Sequence, residues 1–269
     1  MVGLPRHCER QRSNPLHQIW IAASLLLLAM TAVMFLSACA APLPTSERLE
    51  EVKARKWAQV RQQTALAGFV EETPAFIRIF KQEETLELWL QEPESKRFGL
   101  YKTYPICALS GTLGPKIVEG DHQAPEGFYT IGVGQMNPWS RRHLSFNLGF
   151  PNEYDRAQNR TGSALMIHGG CDSVGCYAIT DELVEEIYLL VEASIAGGAE
   201  VPVHIFPFRM SAQNMYLHRD APWLPFWQNL KQGYDAFETT KIPPEISVGA
   251  GQKGVHYVFD TPDKSESQF

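Results

Sequence analysis

The sequence lacks the short signatures that mark the common cofactor enzymes. It contains no GxxxxGK[ST] loop, no GxGxxG fingerprint and no HExxH pair, so nucleotide-dependent and zinc-protease chemistries have nothing to anchor them. It also lacks an excess of positive charge. Lys and Arg total 24 against 30 Asp and Glu, a formal charge of −6. Phosphate backbones are held by a concentrated basic face, so no nucleic-acid partner is expected. No internal repeat is present. Cysteine is scarce, with five in 269 residues, and each one can therefore be accounted for. What is there is the composition of a globular protein, 44% hydrophobic and 20% charged.

The first forty residues carry an address. Arg6, Arg10 and Arg12 form a basic start, and the apolar run IWIAASLLLLAMTAVMFLSA follows from Ile19 to Ala38. A charged start, an apolar run and small residues at its end describe an export signal. The end, Leu36-Ser37-Ala38-Cys39, has the bacterial lipobox pattern. On this reading residues 1–38 are a signal peptide, the chain is cut before Cys39, and the Cys39 thiol carries lipid. A multiply acylated cysteine is a stable membrane anchor. The rest of the chain then faces the periplasm, with the outer membrane as the expected site of attachment. An uncleaved membrane-spanning anchor is the alternative, since the run is long enough to cross a bilayer. Removing residues 1–38 takes away three Arg and one Glu, leaving 21 basic and 29 acidic side chains, a formal −8. Cys8 goes with the signal and Cys39 is spent on lipid, so Cys107, Cys171 and Cys176 remain. An odd number in an oxidising compartment leaves at least one free thiol or an intermolecular bond.

Residues 39–72 read as a tether followed by a leading helix. AAPLPTS is the tether, and Glu47 to Leu66 is rich in helix formers, with Leu49, Val52, Trp57 and Val60 on a loose apolar face. From Ala75 the pattern changes to the alternation of half-buried strands, in FIRIF and TLELWLQ. FGLYKTYPICALSG, FYTIGVG, SALMIHG and VPVHIFPF continue the β character. GTLGPKIVEGDHQAPEG, rich in Gly and Pro, is a loop. Residues 137–163 are dense in turn formers around a short apolar core, and a loop of that length inside a domain is usually functional. Thr180 is expected to cap a helix whose first turn holds Asp181 and Glu182, with Leu183, Ile187, Leu190, Val191 and Ser194 on one face and Gly197-Gly198 as its stop. Residues 73–210 are expected to form the main domain. Residues 211–269 are a C-terminal extension packing on it, with an aromatic-rich helix in PWLPFWQNLKQGYDAFETT, one more strand in GVHYVF, and a frayed polar tail.

Chemistry concentrates in HGGCDSVGCYAIT, from His168 to Thr180. Cys176 can be read three ways. As a nucleophile it needs a lowered pKa or an adjacent base. The following helix can lend its positive end, Gly175 lets substrate and backbone approach, the amides of Gly175 and Cys176 can stabilise an oxyanion, and His168 can supply the base. Alternatively, Cys171 and Cys176 pair in a short disulfide loop, or join His168 and a further ligand such as His204 around zinc, in a spacing that matches no common structural site. In the third reading His168 is a satisfied strand-end histidine and Cys176 a small buried hydrophobe.

The stretch MIHGGCDSVGCYAIT resembles the signature of YkuD-type L,D-transpeptidases, in which a His-Gly pair precedes Ser-x-Gly-Cys. The flanks SGTLGPKIVEGDHQAPEGFYTI, QMNPWSRRHLSFNLGFPNEYDRAQNRTG and FPFRM resemble its YafK-like branch, so the likeness spans Phe76 to Met210. It implies a mainly β fold with α additions (α+β), a β-sandwich catalytic domain with a helix after the cysteine. It implies Cys176 as nucleophile, His168 as base, the backbone of Gly175 and Cys176 as oxyanion hole, and Gly169 and Ser173 as motif residues, Ser173 shaping the loop. The substrate implied is a peptidoglycan stem peptide, cut or exchanged at the L-centre of meso-diaminopimelate, with wall-attached lipoprotein as a candidate partner. Neither a metal nor an organic cofactor is required. A catalytically inert wall-binding lipoprotein is the alternative.

The sequence departs from the commoner family pattern. Val174 stands where a histidine often precedes Gly-Cys, Ala178 replaces the usual arginine, and the His-to-Cys loop is short. These features are shared with the YafK-like branch. They leave open what holds the substrate carboxylate. Arg209, Arg141 and Arg142 are candidates, each also readable as a surface or structural arginine. Asp172 is either an orienting partner of His168 or a solvated turn residue. Cys107 and Cys171 can pair, which would leave Cys176 free.

Overall fold

The alternation in AFIRIF organises the molecule. This strand, β1 (Ala75–Phe80), is buried on both faces. Ala75, Ile77 and Ile79 enter one core, while Phe76 and Phe80 enter aromatic clusters on the other side. It lies at the centre of a five-stranded sheet, in the order β3 (Phe98–Pro105), β2 (Thr85–Gln91), β1, β10 (Val201–Phe206), β5 (Gly127–Ile131). β1 and β10 are parallel and the other pairs antiparallel. Arg78 is the charge at the centre of this sheet. It is buried and paired with Glu87 at 3.2 Å and Glu238 at 2.7 Å, among four surrounding aromatic rings.

A second five-stranded sheet carries the chemistry. Its order is β4 (Ala108–Leu109), β9 (Tyr177–Ala178), β8 (Met166–His168), β7 (Ser145–Asn147), β6 (Met136–Asn137). Only β8 and β9 run parallel. Leu144, Phe146, Ile167 and Tyr177 from this region share one core with Ile77, Ile79, Leu86, Leu88, Val203 and Ile205 of the first sheet, so the two sheets meet across common apolar ground. Two helices, the first and the third in chain order, close that core. α1 (Glu47–Leu66) is capped by Ser46, whose hydroxyl accepts the Leu49 N–H at 3.2 Å. A short α2 (Glu153–Ala157) lies in the connection between β7 and β8. α3 (Asp181–Ala196) follows β9.

The last segment covers the other face of the first sheet. It comprises α4 (Ala212–Leu217), α5 (Leu224–Thr240) and the hairpin β11 (Glu245–Gly251) with β12 (Gly254–Asp260). Close approach is made possible at Gly233 of α5, where a Cβ would stand 2.5 Å from Phe259 and 2.9 Å from Phe128. The fold is thus α+β, with two sheets and few helices, as the sequence led us to expect.

The computed structural model describes residues 42–251 and 254–260, all but Pro42 within one unit, Leu43–Phe269. The expected signal peptide, Cys39 and the polar tail lie outside the described residues. Among the described residues no helix is long and apolar enough to cross a membrane.

Three local expectations need correction. Thr180 occupies the N-cap position of α3, but its side chain makes no capping bond. α3 also does not present a single apolar face. Every residue from Val184 to Ile195 is buried, including Glu185, Glu186 and Glu192, because the helix is packed by α1 and both sheets. Its buried carboxylates are answered from outside the helix, Glu185 by Lys56 and Arg55, Glu192 by Lys53, Glu186 by Lys102. The long segment 137–163 is not structureless either, since it supplies β7 and α2.

Candidate active site

His168 is the last residue of β8 and is buried. Its Nδ1 lies 2.6 Å from the carbonyl oxygen of Gly169. A carbonyl only accepts, so Nδ1 carries the hydrogen and, in the neutral ring, Nε2 keeps its lone pair. Burial pushes the imidazole pKa below its ordinary value. The Gly169 carbonyl opposes that shift, Arg142 adds to it and Asp172 opposes it. The ring is therefore a neutral base with a defined tautomer.

The strand register relates this ring to the cysteine. In the parallel pair, Ile167 stands opposite Tyr177 and His168 opposite Ala178. Ile167 and Tyr177 point into the core, so His168 and Ala178 take the other face. Cys176 stands two residues before Ala178. Its thiol approaches the Ala164 carbonyl at 3.7 Å, and the backbone N–H of Met166, two residues before His168 on the neighbouring strand, favours the thiolate.

Among the described residues Cys176 is the free thiol, because Cys107 and Cys171 form a disulfide with their Cα atoms 5.2 Å apart. That pairing removes the Cys171–Cys176 loop. The zinc set is not assembled either. His204 lies in β10 with its ring edge-on to Phe76 and Phe128, a core histidine on the first sheet, and among the described residues no cluster of three His, Cys, Asp or Glu side chains could hold a metal.

The thiol's environment differs from the helix-end picture drawn from sequence. β9 separates Cys176 from α3, and burial pushes the thiol pKa up. The Met166 N–H and the positive charges of Arg142 and Lys116 oppose that rise. Neither the Gly175 nor the Cys176 N–H has an acceptor among the described residues. Gly175 has φ +111°, a conformation that a side chain would strain. Ser173 Oγ donates to the Cys176 carbonyl at 2.7 Å, closing the loop on itself.

Gly169 is where three elements crowd together. A Cβ there would lie 2.5 Å from Asp181 Oδ1, 2.8 Å from His143 Cβ and 2.9 Å from the Arg142 carbonyl oxygen. Of the three candidate arginines, only Arg142 is brought to the pair. Its guanidinium is ion-paired with Asp172, and its charge acts on both His168 and Cys176. Asp172 therefore faces Arg142, and it is the Gly169 carbonyl that orients the imidazole. Arg141 is exposed. Arg209 follows β10 and is held against the first sheet, 2.6 Å from Glu87 and stacked over Phe80 at 4.4 Å.

A family model described as the L,D-transpeptidase catalytic domain, YkuD, matches residues 77–205. The Escherichia coli K12 protein named "Putative L,D-transpeptidase YafK" is 44% identical over 191 residues, which is 71% of this chain and 75% of that protein. The chain belongs to the YkuD family. The O157:H7 protein of the same name matches to the same extent. Among solved structures, a mutant of the helical cell shape determining protein Pgp2 from Campylobacter jejuni is 21% identical with a TM-score of 0.43. The match covers 61% of this chain and 56% of that one, so the chain spans little more than half of that structure's length. Bd1075 of Bdellovibrio bacteriovorus is 15% identical with a TM-score of 0.37, over 71% of this chain and 88% of that one.

The YkuD match spans β8, the cysteine loop and α3. One neighbour of the thiol was missed by sequence reasoning. Lys116 is buried, bonded to Asp121 and the Val118 carbonyl, and its charge reaches Cys176 from a distant loop. A single lysine in a Gly- and Pro-rich stretch has no periodicity to expose it. The arrangement brings together a neutral base, a thiol, two unoccupied N–H donors and two cations, a set suited to acyl transfer through sulfur.

Proposed function

We propose that the protein is a cysteine-dependent L,D-transpeptidase or amide hydrolase acting on peptidoglycan. The Cys176 thiol loses its proton to His168 Nε2 as sulfur attacks the amide carbonyl carbon at the L-centre of meso-diaminopimelate in a stem peptide. Backbone N–H groups of Gly175 and Cys176 take the oxyanion. The C–N bond then breaks, His168 returns its proton to the leaving amine, and a thioester remains on Cys176. Water or an acceptor amine attacks that thioester, giving a free carboxylate or a new amide. Arg142, already paired with a carboxylate in Asp172, is the group we assign to the substrate carboxylate.

One observation carries this reading. The thiol left unpaired by the Cys107–Cys171 bond stands two residues before Ala178, the strand partner of a histidine whose Nδ1 is taken by the Gly169 carbonyl and whose Nε2 is free to accept. Both groups rest neutral, which supports proton transfer during attack over a standing ion pair. We further propose that the chain is a lipoprotein anchored through Cys39 and facing the periplasm. Likeness to the YafK branch favours hydrolysis or exchange at wall-attached lipoprotein over cross-link synthesis.

The test is to incubate the full chain with defined muropeptides and with lipoprotein-linked sacculi and to read product masses. Gain of water or of an amine, abolished in Cys176→Ala and His168→Ala, is expected. Activity should fall as the pH drops through the pKa of His168. Burial holds that value below the ordinary 6.5, so the acid limb should lie below pH 6.5. Binding without any mass change would overturn catalysis and leave a wall-binding protein.

A further inference from the structure

The start of α1 lies directly after the tether, and it is bonded to the turn that delivers Arg142. Ser46 Oγ donates to the Pro138 carbonyl at 2.9 Å. Arg48 Nη1 donates to two carbonyls of the same turn, Ser140 at 2.8 Å and His143 at 2.6 Å. Within the turn, the Arg142 N–H is held by Ser140 Oγ at 3.0 Å. On its far side the turn rests on Gly169, the residue after His168, through His143 Cβ and the Arg142 carbonyl. His143 is held at φ +67°, an unfavourable conformation for a side-chain-bearing residue, and its Nε2 is fixed by Glu185 at 2.8 Å. The turn is thus gripped between α1 and the strand end that carries the imidazole. Its guanidinium projects to Asp172, in the loop that leads to Cys176.

We propose that Arg48 and Ser46 are positioning residues, which hold the 138–143 turn so that Arg142 stays beside His168 and Cys176. They touch neither group. Their effect passes through the backbone of the turn, and it makes the order of the tether-proximal helix a condition for the site. This inference rests on Cys176 and His168 being the working pair, but its test needs no wall substrate.

The charges that act on the thiol are those of Arg142 and Lys116, with Asp172 beyond Arg142, and His168 stands in register with Ala178, two residues after Cys176. The full chain, in detergent, is alkylated with iodoacetamide across a pH series, and modification of the Cys176 peptide is read by mass spectrometry. Loss of the Arg142 charge, which favours the thiolate, should move the profile to higher pH by roughly 0.3–0.5 unit in a water-like medium, a two- to three-fold slower reaction below the midpoint. Arg48→Ala should show this shift, and so should Arg142→Ala. The double variant should match Arg142→Ala alone, because the two residues act through one charge. Additive shifts, or an Arg48→Ala profile identical to wild type, would overturn the proposal. If Arg48→Ala does not fold, Ser46→Ala and Arg48→Gln take its place with the same two criteria. Failure of muropeptide turnover with an intact alkylation pattern would count against the enzyme reading and leave the clamp standing.

Discussion

His204 offers a direct measure of how the first sheet is held. It is 1% exposed, enclosed by the rings of Phe76 and Phe128 at 4.7 Å each, and its Nδ1 has no partner. Burial first, and the nearby Arg78 charge second, push its pKa down to about 3. In the unfolded chain the value is about 6.5. Between these two pH values the unfolded state binds a proton that the folded state refuses, so stability is complete above pH 6.5 and falls as the pH drops. The slope is about 1.4 kcal/mol per pH unit, and going from pH 7 to pH 4 removes about 3 kcal/mol through this residue alone. His204→Phe keeps a flat ring among aromatic neighbours and deletes the titration, while His204→Leu controls for overpacking. Urea denaturation of wild type and variants at pH 7, 6, 5 and 4 should give a stability difference that moves by about 3 kcal/mol in the variant's favour. All other titrating groups cancel in that difference. A gap that stays constant to within about 0.5 kcal/mol across the series would refute the reasoning, since it would mean that the ring charges without penalty.

Two further outcomes follow from the site. Replacing both Cys107 and Cys171 by alanine opens a link between residues 64 apart in sequence, worth up to about 4 kcal/mol by chain entropy, so the urea midpoint should drop while iodoacetamide still modifies Cys176; an unchanged midpoint would show that the link contributes nothing. Gly169→Ala forces a methyl against Asp181, His143 and the Arg142 carbonyl, and should cost about 1–3 kcal/mol and slow turnover by displacing the residue next to His168, whereas a variant with native stability and rate would show that this junction yields freely.

Much of the fold was open to a reader of the sequence, because the signals are local. Period-two alternation in AFIRIF and TLELWLQ marks β1 and β2, and helix formers stopped by Gly197-Gly198 mark α3. The candidate nucleophile and base lie eight residues apart in one motif, which is why they could be paired as candidates before any coordinates. The burial of α3 on every side was not legible, since the lysines that meet its glutamates, Lys53, Lys56 and Lys102, arrive from other elements.

What the sequence by itself determined is the set of elements and the list of reactive side chains, since propensity, periodicity and turn chemistry act over a few residues. Only the tertiary structure decided which of those side chains meet. It joined Cys107 to Cys171, sent His204 into an aromatic core, kept Arg209 with Glu87 on the first sheet, and brought Arg142 to the thiol under the grip of Arg48. Those outcomes depend on the packing of segments 30 to more than 100 residues apart, where the free energy of a contact belongs to the whole fold and leaves no trace in the spacing of its partners.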